Sequence, residues 1–165
     1  MIAFIPDRIK TMLTIRKQQT KEGPLVELSG TIEESVNFEQ LIGAVEGLLT
    51  VKCRGITRIN SVGVKTWMKY FQSLKAQGVR FRFIECSYSV IEQLNMISNF
   101  ACGGEVVSIL LPFSCVACEN EFVACCNTVE LKASNLQVPK AKCERPNCGA
   151  QFDDDPEEYF YFLED

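Results

Sequence analysis

The sequence contains no histidine. That absence removes the commonest general acid and base near neutral pH, the imidazole phospho-carrier, and every metal site built on ring nitrogens. No apolar run is long enough to cross a bilayer, and the opening MIAFIPDRIK breaks its short apolar patch at Pro6 and Asp7. A secretion leader would need a charged start and an apolar stretch of about 7–15 residues. The expected setting is therefore cytoplasmic, with no membrane partner. Surplus positive charge is missing too. Seventeen Lys and Arg against 21 Asp and Glu leave a net charge of −4, which argues against a broad nucleic-acid-binding surface.

Cysteine, by contrast, is abundant. There are nine, an odd number, and six of them fall between Cys115 and Cys148. In a chain expected to stay in a reducing compartment, such clustering favours metal binding over disulfides. The length of 165 residues suits one domain, or a domain of about 110 residues with a small appended module.

Up to Pro112 the chain alternates strand and helix signals. LTIRKQ (13–18) and PLVELSG (24–30) read as strands around a polar turn at Lys21-Glu22-Gly23. Phe38, Leu41, Ile42, Val45, Leu48 and Leu49 recur at helical spacing behind Asn37. VKCRGI (51–56) is an expected strand. Val64, Trp67, Met68, Phe71 and Leu74 mark a second helix, with Gly78 as its stop. VRFRFIEC (79–86) alternates as a half-covered strand, Val90 to Ile97 forms a third helix, and EVVSILLPF (105–113) is a last strand. The order implies an α/β layer, a mixed β-sheet with helices. From Cys115 helix periodicity vanishes, so a boundary is expected near Phe113.

Cys115 and Cys118 form C-x-x-C, and Cys143 and Cys148 form C-x-x-x-x-C. Two short-spaced pairs on separate loops can set four thiolates at the corners of a tetrahedron, the arrangement of a structural zinc site with one ion per chain. Gly149 is expected to allow a tight turn behind the second pair. The β-prone residues between the pairs would form a strand or hairpin, so that 113–165 resembles a zinc ribbon. Cys125 or Cys126 could replace one of the four ligands. Cys53, Cys86 and Cys102 sit in apolar runs and read as buried free thiols. The tail, FDDDPEEYFYFLED, carries too much negative charge to track phosphates, and its aromatic residues read as packing onto a neighbour.

In TRINSVGVKTW (57–67) a strand ends at Asn60-Ser61 and a helix begins. Asn60 is a good N-cap residue, and Ser61 falls in the first turn, where a hydroxyl can cap the helix or carry a phosphate favoured by the helix dipole. A catalytic nucleophile is disfavoured, because no histidine exists to activate it.

CRGIT (53–57), NSVG (60–63), the helix from 64, Gly78, RFRFIEC and SVIEQLNMISNF follow one another as in the second half of a STAS domain, the fold of bacterial anti-sigma-factor antagonists. LVELSGTIEE (25–34) is similar to that family's early strand and turn, and the resemblance covers about residues 11–111. It implies a non-catalytic regulatory module, in which Ser61 is the phospho-acceptor and Asn60, Arg58 and Lys65 lie at the partner surface. The partner would be an anti-sigma factor or a switch kinase, and homodimers are compatible with it. Asn60 stands where the family carries Asp, and Val62 where it carries a second serine. The competing expectation is a zinc-ribbon adaptor whose STAS fold is only a scaffold or dimerisation domain, without phosphorylation.

Overall fold

The computed structural model describes residues 12–145 and 148–164. The opening stretch 1–11, Pro146, Asn147 and Asp165 lie outside the described residues, and with them the first residue of the expected STAS span and the last of the acidic tail.

Apolar alternation builds the first sheet. Strand β1 (Thr14–Thr20) folds back antiparallel on β2 (Gly23–Ile32), and β3 (Leu48–Ile59), β4 (Arg80–Ile84) and β5 (Glu105–Val106) follow in parallel, in the order β1-β2-β3-β4-β5. Along β3, Leu49, Val51 and Cys53 point inward, while the alternate residues Lys52 and Arg54 reach solvent. Lys52 lies 3.3 Å from Glu27 and 3.9 Å from Glu85, so this polar face is laced with ion pairs.

The inward face is covered by α1 (Phe38–Ile42) and α2 (Ser61–Ala76). Their aromatic side chains interdigitate with β4: Trp67 lies 5.3 Å from Phe83, and Phe71 lies 5.0 Å from both Phe81 and Phe83. The lone tryptophan also stacks on Phe100 at 5.3 Å and donates its indole N–H to the Phe100 carbonyl at 3.2 Å. Helix α3 (Tyr88–Met96) completes the crossover to β5. No helix of the described residues is long and apolar enough to cross a membrane.

Three expectations change. The first helix ends after five residues, because Gly43 takes a φ of 79° and closes it; Leu48 and Leu49 belong to β3 instead. Helical spacing there coincides with residues buried for a different reason. The expected strand 105–113 is two strands. β5 pairs with β4, a single parallel bridge from Cys86 to Ile109 continues that contact, and β6 (Ser108–Cys115) is the centre of a second sheet ordered β7-β6-β8. The segment after Cys115 is also not purely β: β7 (Glu121–Asn127) leads directly into α4 (Thr128–Ala133), capped by the Asn127 side chain, and α5 (Pro156–Tyr159) and a 3-10 turn (Tyr161–Leu163) follow β8 (Ala150–Phe152).

The buried residues of both sheets form one continuous cluster. Ile109, Leu111 and Phe113 of β6 belong to it with Val51 and Phe83, and so do Tyr159, Phe160 and Leu163 from the tail. The tail aromatics therefore pack as core, with Tyr161 the exposed exception.

Candidate metal centre and the start of helix α2

The second sheet assembles the cysteines. Cys115 ends β6, and a short turn returns the chain as β7. Within it the Glu119 N–H donates to the Cys115 carbonyl at 2.8 Å, and the Cys115 N–H to the Asn120 carbonyl at 2.9 Å. On the other side β8 runs antiparallel to β6 with Cys115 opposite Ala150, which sets Cys148 beside the turn. Strand register thus brings Cys148 to the Cys115–Cys118 turn, and Cys143 joins them from the loop before β8. The sulfurs of Cys115, Cys118, Cys143 and Cys148 all lie within 4.8 Å of one another, with 3.6 Å between those of Cys118 and Cys143. This group could hold a metal ion.

The thiols feel each other. Burial pushes the Cys115 thiol up, but the amides of Cys118 and Ala117, with the thiols of Cys148 and Cys118, outweigh it and bring its pKa down to about 7. The Asn120 amide favours the Cys118 thiolate, yet burial and the neighbouring Cys115 and Cys143 thiols carry its pKa upward. Cys148, hydrogen-bonded to Cys115 and partly desolvated, is pushed up to about 12. Four thiolates this close repel one another, so a bound cation would relieve the repulsion and displace the protons.

Cys125 and Cys126 are outside this group, on β7, with Cys125 exposed and Cys126 half-buried. Adjacent strand residues face opposite ways, and the register opposite Leu110 and Ile109 places both away from the turn. Cys53, Cys86 and Cys102 are fully buried, as apolar runs require. Gly149 does not make the expected special turn: its φ is not left-handed, and a Cβ there would meet nothing within 4 Å.

At the far end of β3, Asn60 is the N-cap of α2. Its side-chain oxygen accepts from the Gly63 N–H at 2.7 Å, and its amide donates to the Glu34 carboxylate at 3.1 Å. Ser61 is exposed, and its hydroxyl makes no hydrogen bond to a described residue. Lys65 and Lys69 follow at one-turn intervals on the same helix face, and both are exposed, as is Arg58 on β3. Gly63 allows the helix to abut β2, since a Cβ would meet the Ile32 carbonyl oxygen at 2.1 Å.

The Glu34 carboxylate beside Asn60 was not legible in the sequence, because twenty-six residues separate them. Equally hidden was Asn95 in α3, which donates to the carbonyls of Glu158 and Tyr159 at 3.0 and 3.2 Å and accepts from the Phe162 N–H at 2.9 Å. A polar residue on the helix stripe between Ile91 and Ile97 was its one available signal.

Comparison with known proteins finds no family model that matches the chain and no curated protein that matches it.

Proposed function

We propose that this chain is a non-catalytic regulatory protein–protein interaction module, built on a STAS-like sheet layer and held together at its second sheet by a structural zinc ion. The reading is carried by the start of α2. Asn60 alone performs the capping, which leaves the exposed Ser61 hydroxyl without a structural task. A phosphate there would meet a favourable helix dipole and add about −1.5 to −2 charges to the Lys65–Arg58 surface. Its effect would fall on a partner, an anti-sigma factor or a switch kinase in this reading, and not on the core.

Zinc is supported by donor chemistry. Zinc–sulfur bonds of about 2.3 Å set tetrahedral sulfur–sulfur edges of about 3.8 Å, and the Cys118–Cys143 separation of 3.6 Å is close to that. Four thiolates leave no open position, which suits a structural ion and not a catalytic one. The alternative adaptor reading, with the first sheet as scaffold, draws on the continuous core that ties both sheets to the tail.

The test compares wild type, Ser61→Asp and Ser61→Ala as bait under identical conditions, with intact-mass analysis of the natively expressed chain. Phosphate on Ser61, and a partner retained by Ser61→Ala but lost by Ser61→Asp, are expected. Equal capture by both variants would sink the switch and favour the adaptor. Deleting 113–165 is not a usable test, since the cut falls inside β6 and removes buried Tyr159 and Phe160.

A further inference from the structure

Of the eight large apolar side chains that stand exposed among the described residues, three converge on one groove. Met96 (74% exposed), Val129 (67%) and Tyr161 (61%) all line a depression of about 600 Å³ between the end of α3, the start of α4 and the tail. Scattered exposed apolar residues are ordinary, but their convergence on a concave surface marks interaction sites. Tyrosine and methionine are also the side chains enriched at interfaces, the first for rigid amphipathic area and the second for adaptability.

The groove is already framed. Asn95 makes three hydrogen bonds to the tail backbone, so Tyr161 is presented by a tethered segment, and the Phe100 and Leu163 side chains in its floor belong to the core. Ordering cost on binding is therefore low. The rim has one dominant sign. Glu105 lies within the groove with Lys132, and Glu157, Glu158 and Glu164 line the two depressions that adjoin it through Asn95, Tyr161 and Leu163; Lys132 is the one cation among the described lining residues. The groove mixes these apolar side chains with polar ones such as Asn95, Ser98, Asn99 and Thr128, and a partner that enters it meets the surrounding rim most favourably with positive charge.

We propose that this groove docks a basic, apolar-anchored peptide segment of a protein partner: Lys or Arg residues against the glutamate rim, and two or three apolar side chains between Met96, Val129 and Tyr161. The inference rests on the reading of the chain as an interaction module and places a contact on the face made by α3, α4 and the tail, apart from Ser61. The two fail independently, because the groove is probed with a peptide while the switch is probed with Ser61 variants.

The full chain is titrated against a fluorescein-labelled synthetic peptide with Leu at helical i, i+3, i+4 spacing and Lys elsewhere, read by anisotropy. Two control peptides replace every Lys by Glu, or every Leu by Ser. Saturable binding of the Lys/Leu peptide alone is expected, weakened about tenfold by Met96→Ser with Tyr161→Ser, and weakened by raised salt and by Glu157→Gln with Glu158→Gln. Val123→Ser, an exposed apolar position on β7, should leave it unchanged. Chemical denaturation of each variant confirms that it is folded. No saturable binding, equal binding of the Glu/Leu peptide, or equal weakening by Val123→Ser would overturn the proposal. So would a wild-type dimer that Met96→Ser with Tyr161→Ser converts to monomer, since a second copy would then be the occupant.

Discussion

The phenolic hydroxyl of Tyr159 donates to the Leu110 carbonyl at 2.6 Å. Strand β8 pairs with β6 only across Phe113, Ser114 and Cys115, and the Asp153 N–H then reaches Pro112; the Leu110 N–H donates to the Cys86 carbonyl at 2.9 Å, but no strand among the described residues supplies a donor for the Leu110 carbonyl. A tail side chain supplies what the short strand cannot. Tyr159→Phe keeps the ring and leaves that buried oxygen unpaired, at a cost of about 1–2 kcal/mol. Urea denaturation of the two proteins at neutral pH checks it, and equal midpoints would show the bond to be energetically idle.

Tyr70 has the opposite standing. Its hydroxyl is buried with no hydrogen-bond partner among the described residues. Burial first, and then the Glu39 charge, push its pKa up to about 12 from an ordinary 10. Tyr70→Phe should therefore be neutral or stabilising by about 1 kcal/mol at pH 7. The sign with pH follows from the raised folded value. Below pH 10 both states hold the proton; between about 10 and 12 only the unfolded state releases it, so wild type loses stability as pH rises. The margin in favour of Tyr70→Phe should widen across that window. A constant difference between pH 8 and pH 11 would contradict it.

Asn60 ties the start of α2 to Glu34. The Asn60 side chain caps Gly63 with its oxygen and meets Glu34 with its nitrogen. Asn60→Ala loses the cap and should cost about 1 kcal/mol. Asn60→Asp keeps the cap but sets two carboxylates at hydrogen-bonding distance, which raises the pKa of one of them. Its stability should be lost relative to wild type as pH rises above the ordinary carboxylate range. Thermal melts of the three proteins at pH 4.5 and 7.5 read this directly. If Asn60→Asp shows the same stability difference from wild type at both values, the Glu34 repulsion is refuted.

Much of the fold was readable because periodicity reports burial. Helix α2, from the Asn60 cap to the Gly78 stop, follows from a stripe that ends at Trp67, Phe71 and Leu74, all buried. The four thiols were readable because short chelating loops bring each pair together whatever the tertiary fold. What failed had a tertiary cause. Leu48 and Leu49 fit a helical stripe, yet sheet pairing with Arg80 and Phe81 claims them. EVVSILLPF looks continuous because both of its halves are strand, and nothing local says that they serve different sheets. The Asn95 clamp and the Met96–Val129–Tyr161 groove depend on residues brought together across more than thirty positions, which no local pattern encodes.

The cysteine centre should couple metal to the tail. Cys143 and Cys148 precede β8, β8 is only three residues long, and the chain behind it supplies Tyr159, Phe160 and Leu163 to the shared core. Without a cation the Cys118 and Cys148 thiols keep their protons and nothing bonds the turn to the loop, so β8 is left with its three-residue ladder on β6 and the packing of the tail. Metal analysis of protein purified under reducing conditions should find about one zinc per chain, and less than about 0.2 would refute the site. Cys143→Ser should lose the ion, while Cys125→Ser on exposed β7 should keep it. A chelator in reducing buffer should raise hydrogen exchange first in 148–164, before the amides of β3 and β4 respond. Exchange that rises uniformly across both sheets would mean that the metal supports the whole core. Exchange unchanged by removal of a measured ion would mean that the thiols bind it without bearing on the fold.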